Sequence, residues 1–496
     1  MSEVRAKLRR LATGGMLWVS LGTVVGKIAS LAAQLVLGWI LDSHDFALYA
    51  IAISWSTMVL ALRNAGTQRL LIQKGSRYDD FAGVCLKVAL LFNGLGCVVL
   101  AATAPALSQI YESRSLLPLM WVIAVSLPIG TAAMVFQAKL SSDLNFATLA
   151  RINIWSSLLR HASMVSFALL GFGAVSFVLP LIVVALFETA AGWHTVGRWP
   201  ATRPLTWSAM QDVLRDSRWI MLTSFAGILV LNGDYLAISL LQPKEVLGVY
   251  YFGFQLSFSL AVLFTNGLES VMMPAFAMLE HDPSLQRHAF FKAVRVLVFG
   301  TTLACFGLLQ GADALVHELW GGKWDGAIPV IQLLALSLPI KMIVPLSRSL
   351  LEAGGAWQFV AGLLLLDGIG TIAAGAAGAW IGGVTAIAAA LSAYNLVAGL
   401  ALCGCVSIRI GGNLHDIVGP VISTFGIGML AWIVASGVSS TLRPDGSGTW
   451  QILGQIVLYA VCYLALTTLL RRDSMTEIVG LLRWRVSAWN LERRAV

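Results

Sequence analysis

Long apolar runs constrain this chain more than any other feature of its sequence. About 14 runs, each near the roughly 20 residues that an α-helix needs to cross a bilayer, follow one another along the chain. They lie at 15–41, 46–72, 82–107, 116–138, 146–170, 173–197, 219–241, 246–275, 290–311, 327–351, 357–381, 383–408, 416–439 and 449–470. None alternates as barrel strands do. The sequence therefore predicts an all-α integral membrane protein with about 14 transmembrane helices.

The charged residues are few and unevenly distributed. They make up 12% of the 496 residues, while 58% are hydrophobic, and soluble domains carry about 25% charged residues. Loops and termini assigned to one side contain 22 Lys and Arg, and those of the other side contain 4. By the positive-inside rule both termini are cytoplasmic. The net charge of +8 reflects this topology and indicates no nucleic-acid partner.

Two stretches of the chain resemble each other. Phe46–Tyr49 aligns with Leu247–Tyr250, and residues 64–66 align with 265–267, with 17 positions between Tyr and Gly in both copies. An even number of helices before the linker lets both halves enter the membrane in the same direction. We expect two six-helix bundles related by a pseudo-two-fold axis along the membrane normal, with two extra C-terminal helices.

The predicted organisation has six parts. They are a basic interfacial segment at 1–14, an N-terminal bundle at 15–197, a cytoplasmic linker at 198–217, a C-terminal bundle at 218–408, two extra helices at 409–471 and an amphipathic tail at 472–496. The segment at 1–14 fits a short helix at headgroup level and equally a basic tail that only orients the first span. The first apolar run is too long for a signal peptide and is kept as a helix.

Basic side chains within the predicted helices indicate a polar path. Lys27 lies about halfway along the first helix, and Ser30 and Gln34 follow on the same face, as in a helix that lines a wet cavity. Arg160 lies about 14 residues, or roughly 21 Å, into its helix and cannot easily reach water on that side. The predicted basic set is Lys27, Arg63, Arg160 and Lys341.

Acidic and amide side chains occur in the same runs. The acidic set is Asp234, Glu269 and Asp367, and the polar lumen set is Gln34, Asn64, Asn232, Gln255 and Asn266. A carboxylate at membrane depth is costly, so each acid needs a partner or a role. Two interpretations of Asp234 stay open: it pairs with a basic side chain to make burial tolerable, or it takes part in function.

Motifs for catalysis are missing from the sequence. No phosphate-binding loop of the G-x-x-x-x-G-K-[ST] type occurs, no histidines have metal-site spacing, and no cysteines have C-x-x-C spacing. The predicted outer loops reach about 15 residues, too few for a sizeable aqueous catalytic site. We therefore expect a protein that is not an enzyme and that has no metal or other cofactor.

Several short stretches carry a family resemblance. They are NGDYLAISLL at 232–241 with GVYY at 248–251, VMMPAFAML at 271–279, LWGGKWDGAIPVIQLLAL at 319–336, PLSRSLLEAGG at 345–355 and ILDSHDFALY at 40–49. Together they resemble the polysaccharide transporter family, the oligosaccharide flippases of the multidrug/oligosaccharidyl-lipid/polysaccharide superfamily. The resemblance spans about residues 1–410. Ser239 and Ala47 stand where the family often has glycine, which leaves the substrate subfamily open.

The resemblance implies a flippase of the bacterial inner membrane. Its substrate would be an undecaprenyl-pyrophosphate-linked oligosaccharide for exopolysaccharide, capsule or O-antigen assembly, and a polymerase and other assembly proteins would be its partners. Such a pyrophosphate needs a cationic path through hydrocarbon, which the basic set supplies. Asp234, Glu269 and Asp367 then offset that charge or take up a proton or sodium ion that drives the cycle.

Three other functions are compatible with parts of this pattern. A multidrug or cation-coupled exporter of the same superfamily favours an anionic cavity, whereas cations outnumber carboxylates in the first half. A flippase for a lipid-linked peptidoglycan precursor suits 14 helices, but the motifs fit the polysaccharide family better. A membrane-embedded glycan polymerase or ligase is the alternative from a different class.

Overall fold

The fold is described by a computed structural model covering residues 22–60, 67–74, 78–143, 145–199, 207–279, 282–441 and 449–471. The first eight helices are α1 Gly22–Ile40, α2 Ser43–Leu60, α3 Thr67–Lys74, α4 Tyr78–Ile110, α5 Leu116–Ile129, α6 Thr131–Ser142, α7 Phe146–Leu169 and α8 Leu179–Val196. The others are α9 Trp207–Leu241, α10 Lys244–Met278, α11 Pro283–Trp320, α12 Ile328–Lys341, α13 Ile343–Ala353, α14 Trp357–Ile381, α15 Gly383–Arg409, α16 Leu414–Thr441 and α17 Thr449–Leu470. Short 3₁₀ turns occur at Gly173–Phe177 and Asp325–Ala327.

The predicted all-α membrane architecture is confirmed. A helix or helix pair occupies each of the 14 predicted positions, and the described residues form no strand. By length and composition, 11 helices in the described ranges are candidate membrane spans, or 12 if the bent pair α5 and α6 is one span. The short α2 and the arginine-containing α7 are not among them, so the count of 14 is approximate.

Proline explains one of the helix breaks. α12 ends at Lys341 and α13 begins at Ile343. Pro345 has no N–H to donate to the carbonyl four residues earlier, which is that of Lys341. The missing donor accounts for the boundary between α12 and α13. Pro128 and Gly130 similarly lie at the 46° bend between α5 and α6.

Close contacts divide the chain into two compact units. One consists of Met1–Ser259 with Gly355–Leu391, and the other of Leu260–Gly354 with Ser392–Val496. α10 and α15 each contribute residues to both units. The six predicted parts of the chain, from the segment at 1–14 to the tail at 472–496, stay a prediction, and those two terminal segments lie outside the described residues.

In the first unit, α9 and α14 pack through glycines. A Cβ on Gly233 would lie 2.7 Å from Ile372 Cγ1, and a Cβ on Gly368 would lie 2.7 Å from Leu229 Cβ. The missing side chains let the two backbones approach closely, which is a common way for helices to associate in lipid. This packing holds Asp234 of α9 against the backbone of Gly375 on α14.

In the second unit, α16 and α17 pack on α11. The buried Tyr459 of α17 donates its hydroxyl to the Thr302 carbonyl at 3.2 Å, and Tyr463 donates to the Phe299 carbonyl at 3.3 Å. A Cβ on Gly428 of α16 would lie 2.5 Å from the Thr302 side chain. The two helices beyond the predicted six-plus-six plan are thus fixed to α11 by tyrosine hydroxyls and a glycine contact.

Candidate functional site: a basic cluster and an aromatic junction

Helices α1 and α7 pack closely because two glycines of α1, four residues apart in sequence, both face α7. A Cβ on Gly22 would lie 3.1 Å from Ile154 Cγ1, and a Cβ on Gly26 would lie 2.8 Å from Ser157 Oγ. Glycines with this spacing lie on one face of a helix and permit close helix packing. Lys27 follows Gly26, and Arg160 lies three residues after Ser157, so the packing brings these parts of the two helices together.

The resulting group, Lys27, Arg160 and His161, is called the basic cluster. Lys27 and Arg160 both act electrostatically on the His161 ring, and a ring nitrogen of His161 lies 2.7 Å from the Ser157 carbonyl oxygen. Lys27 and His161 are partly buried, whereas Arg160 is exposed. Two cations that the sequence placed 133 positions apart therefore lie in one region. Positive charges grouped in this way attract an anionic ligand.

A second group lies close to Arg160 and is called the aromatic junction. It consists of Phe46 and Tyr49 on α2, Phe177 in the 3₁₀ turn, and Tyr251 and Phe252 on α10. Tyr49 stacks on Phe177 with ring centroids 4.5 Å apart, and Phe46 meets Phe252 edge to face at 5.5 Å. Aromatic pairs at such distances contribute about 0.5–1.5 kcal/mol each beyond their burial.

Backbone contacts reinforce the junction. Gly248 of α10 lies against the chain at Ser43, where a Cβ on the glycine would be 1.8 Å from the Ser43 carbonyl oxygen. Gln34, a predicted lumen residue, is buried and donates to the Phe252 carbonyl at 3.4 Å. The stretches 46–49 and 247–250 resemble each other in sequence. In the structure both belong to the region where α2 packs against α10.

The predicted acid Asp234 has a tyrosine as a partner. Its side chain is 3% exposed, and it accepts a hydrogen bond from the Tyr250 hydroxyl at 2.6 Å. The Tyr235 N–H lies 2.9 Å from the other carboxyl oxygen. On the same helix, Asn232 donates to the Ile228 carbonyl at 3.4 Å. Sequence reasoning missed Tyr250, although it is the last residue of the 247–250 stretch that resembles 46–49.

Removing the Tyr250 hydroxyl is expected to destabilise the protein. Tyr250→Phe deprives a buried carboxyl oxygen of a donor, which costs about 1–3 kcal/mol, so the thermal unfolding midpoint in detergent should fall. Tyr111→Phe is the matched comparison, because the Tyr111 hydroxyl bonds only to neutral groups among its recorded partners, Trp55 at 3.0 Å and Ser239 at 2.8 Å. A midpoint for Tyr250→Phe equal to that of the unsubstituted protein would contradict this assignment.

The remaining predicted residues are dispersed. Asp367 on α14 and Gln255 on α10 are partly buried in the first unit, and Thr371 donates to the Asp367 carbonyl at 2.8 Å. Lys341, in the second unit, lies over the Tyr394 ring at 5.5 Å from its centroid. The side chains of four predicted residues lie outside the described part of the chain: Arg63, Asn64, Asn266 and Glu269. Their roles stay predictions.

The described structure brings two of the predicted residues, Lys27 and Arg160, together in the basic cluster. It adds His161 to that cluster, and it places Tyr49 in the aromatic junction. His161 was visible in sequence as the neighbour of Arg160 in an apolar run. Tyr49 was visible as the end of the ILDSHDFALY stretch. Neither signal indicated that the two side chains lie near the same guanidinium group.

The amino-acid sequence is similar to those of known proteins of polysaccharide biosynthesis. The family model described as "Polysaccharide biosynthesis protein" matches residues 36–329. The chain is 23% identical over 460 residues to the teichuronic acid biosynthesis protein TuaB of Bacillus subtilis, covering 91% of this chain and 94% of that protein. It is 24% identical to the lipopolysaccharide biosynthesis protein WzxC of Escherichia coli, covering 66% of this chain and 67% of that one.

Solved structures have the same fold at low sequence identity. The lipid II flippase MurJ in an inward closed conformation superposes with a TM-score of 0.75 at 13% identity, covering 92% of this chain and all of that one. An inward-facing multidrug resistance transporter of the MATE family gives a TM-score of 0.62 at 13% identity, covering 78% of this chain and 94% of the transporter. The chain thus shares its helix arrangement with these two solved structures.

Proposed function

The chain belongs to the polysaccharide biosynthesis protein family, and from this premise we propose that it is a flippase for a lipid-linked saccharide. The substrate we propose is an undecaprenyl-pyrophosphate-linked oligosaccharide, moved between the leaflets of the bacterial inner membrane by alternating access. Both termini are then cytoplasmic. The product would pass to a polymerase and other assembly proteins for exopolysaccharide, capsule or O-antigen synthesis.

The basic cluster is the observation that carries this proposal. A pyrophosphate diester is dianionic, and hydrocarbon excludes it unless the protein supplies compensating charge and hydrogen bonds. Lys27 and Arg160 come from two helices that glycines hold in close contact, so both positive charges belong to one region of the protein. Arg160 adds a planar fork of donors that matches phosphate oxygens, while Lys27 acts as a point charge.

The acidic residues complete the proposed cycle. Asp234, with Glu269 and Asp367, offsets the positive path or takes up a proton or sodium ion that drives transport. The Asp234 carboxyl accepts from the Tyr250 hydroxyl, and it is buried in α9 beside α14. A buried carboxyl changes its interactions strongly when it gains or loses a cation. Ion dependence of transport in Asp234→Asn is the measurement that separates coupling from a purely structural role.

Two alternative functions make different use of the same fold. A multidrug exporter for cations is supported by the MATE-like fold, but a cluster of Lys27 and Arg160 repels a cationic drug. A membrane-embedded polymerase needs an aqueous catalytic site. Helix α11 extends to Trp320 and α12 begins at Ile328, so the connection between them is short and holds one 3₁₀ turn. The basic cluster favours transport of an anionic lipid over both.

Reconstitution tests the proposed function. The purified full-length protein is placed in proteoliposomes with an undecaprenyl-pyrophosphate-linked oligosaccharide carrying a fluorescent sugar label, and transfer between leaflets is followed by quenching of the outer leaflet. We expect protein-dependent transfer with no change in saccharide length. Transfer no faster than in protein-free liposomes would contradict a flippase, and lengthened saccharide in the products would establish the polymerase alternative.

A further inference from the structure

Three polar side chains of the first unit are joined by hydrogen bonds and are called the polar triad. Gln68 of α3 donates from Nε2 to Oε1 of Gln137 on α6 at 3.3 Å. Gln137 in turn donates from Nε2 to Oε2 of Glu188 on α8 at 3.2 Å. All three residues are partly buried. The triad thus connects three helices through groups that the sequence did not predict to belong to a site.

A glycine contact between α6 and α8 places the triad. A Cβ on Gly192 would lie 2.6 Å from the Cβ of Phe136, so α8 approaches α6 closely at this point. Gly192 follows Glu188 by four residues, which is about one helical turn, and Phe136 precedes Gln137 directly. Small residues at a helix contact allow such an approach in lipid. The same contact therefore brings Gln137 and Glu188 within hydrogen-bonding distance.

Glu188 has no cationic partner within the described residues. It lies near the middle of α8, which belongs to a candidate membrane span, where a carboxylate is costly unless it is paired. Its recorded partner is the neutral amide of Gln137, so it gains from further hydrogen-bond donors. On the helices that pack against α8, the basic side chains are engaged elsewhere: Lys139 pairs with Asp143, Arg151 donates to the Ala147 carbonyl, and Arg160 and His161 belong to the basic cluster.

The triad has further hydrogen-bonding capacity of both kinds. A glutamine side chain offers two N–H groups and a carbonyl oxygen, and an ionised carboxylate accepts at about four positions. In the described part of the structure, the recorded bonds use one N–H of each glutamine, Oε1 of Gln137 and Oε2 of Glu188. Adjacent hydroxyls of a saccharide both donate and accept, so they suit the remaining N–H groups and oxygens together. A proton or a metal ion would use the oxygens alone.

We propose that the polar triad binds the saccharide of the lipid-linked substrate while the basic cluster binds its pyrophosphate. Helix α7, which carries Arg160, packs against α8, which carries Glu188. The two sites therefore belong to neighbouring helices of one unit, as the two joined parts of one substrate require. This inference rests on the proposed function and assigns a separate binding site to the saccharide.

The binding of two lipids tests the inference. The full-length protein in lipid nanodiscs is titrated with undecaprenyl pyrophosphate and, separately, with the same lipid carrying the oligosaccharide of the transport assay. The unsubstituted protein should bind the saccharide-bearing lipid more tightly, because only that lipid has hydroxyls for the polar triad. Equal Kd values of the unsubstituted protein for the two lipids would overturn the inference.

Two variants of the triad should weaken the binding of the saccharide-bearing lipid selectively. Glu188→Gln keeps an acceptor for Gln137 and removes the charge, and charge-assisted hydrogen bonds are roughly twice as strong as neutral ones. We expect its Kd for the saccharide-bearing lipid to rise about tenfold, which is about 1.4 kcal/mol, with the Kd for undecaprenyl pyrophosphate unchanged. Gln68→Ala leaves the bond between Gln137 and Glu188 in place and should have the same selective effect.

The second unit provides a matched control. Gln332 donates to the exposed carboxylate of Asp313 at 3.2 Å. Asp313→Asn therefore neutralises a carboxylate that has an amide partner but lies outside the proposed saccharide site. This variant should leave the Kd for both lipids unchanged.

Failure of this inference is distinguishable from failure of the proposed function. If the unsubstituted protein binds neither lipid, the proposed function is contradicted, and the inference with it. If the triad only joins its helices, Glu188→Gln and Gln68→Ala will weaken both lipids equally and lower the thermal unfolding midpoint, which overturns the saccharide site alone. If Glu188 instead takes up a proton, Glu188→Gln will leave both Kd values unchanged and remove the pH dependence of transport, which also overturns it.

Discussion

Replacing both Lys27 and Arg160 with alanine is expected to abolish polymer export while the protein accumulates normally in the membrane. Both cations belong to the basic cluster, and the proposed pyrophosphate would lose its principal compensating charges. Each charge-assisted hydrogen bond to a phosphate contributes about 1.5–3 kcal/mol, so the loss of two lowers binding by about two to four powers of ten if their effects add. Export is measured as surface polymer in a strain lacking its own copy of the transporter.

The control variant removes a cation from the same helix. Arg151 lies in the first turns of α7, is exposed, and donates to the Ala147 carbonyl of its own helix at 3.4 Å. Arg151→Ala should export polymer normally. Lys27→Arg should retain part of the activity, since the charge is kept and the geometry changes. Normal export by the double alanine variant, at a confirmed protein level, would refute the cationic path.

Gly248→Ala is expected to prevent correct folding or to lower the thermal unfolding midpoint severely. The added Cβ would lie 1.8 Å from the Ser43 carbonyl oxygen and 2.7 Å from its carbon. These are backbone atoms that cannot rotate away, so α10 would have to shift. That shift would separate Phe46 from Phe252, whose rings meet at 5.5 Å. Overpacking alone costs typically about 1–3 kcal/mol, and the lost junction contacts add to it.

A second glycine provides the matched control. Gly227 lies within α9, and among the described residues no atom beyond the surrounding turns of its own helix lies within 4 Å of a Cβ built on it. Gly227→Ala therefore adds no clash, and it should stabilise the helix by about 0.5–1 kcal/mol because alanine loses less conformational freedom than glycine. Fluorescence-detected gel filtration and thermal unfolding compare the two variants. Equal stability of the two alanine variants would show that the Ser43 contact is not as close as described.

The sites of these two substitutions belong to one arrangement. The basic cluster lies on α1 and α7, and the aromatic junction joins α2 to α10. Changing the cations removes what binds the proposed substrate, whereas changing Gly248 disrupts the packing of the aromatic junction. The first change should leave stability intact, and the second should lower it, so the two phenotypes separate binding from folding.

The amino-acid sequence by itself determined the class of the fold and the positions of its helices. Apolar runs of about 20 residues have one stable solution in lipid, since every backbone polar group must be satisfied within the segment. The basic and acidic residues at membrane depth were also recognisable in sequence. Lys27, Arg160 and Asp234 interrupt runs that are otherwise apolar enough to lie in the hydrocarbon core of the bilayer.

Only the tertiary structure decided which of these groups meet. In a membrane both the lipid-facing and the protein-facing sides of a helix are apolar, so periodicity does not reveal the packing face as it does on a soluble helix. The contact of Gly26 with Ser157, the bond from Tyr250 to Asp234 and the approach of Gly248 to Ser43 were therefore not predicted. Each depends on close backbone packing, which small residues permit but do not direct to a particular partner.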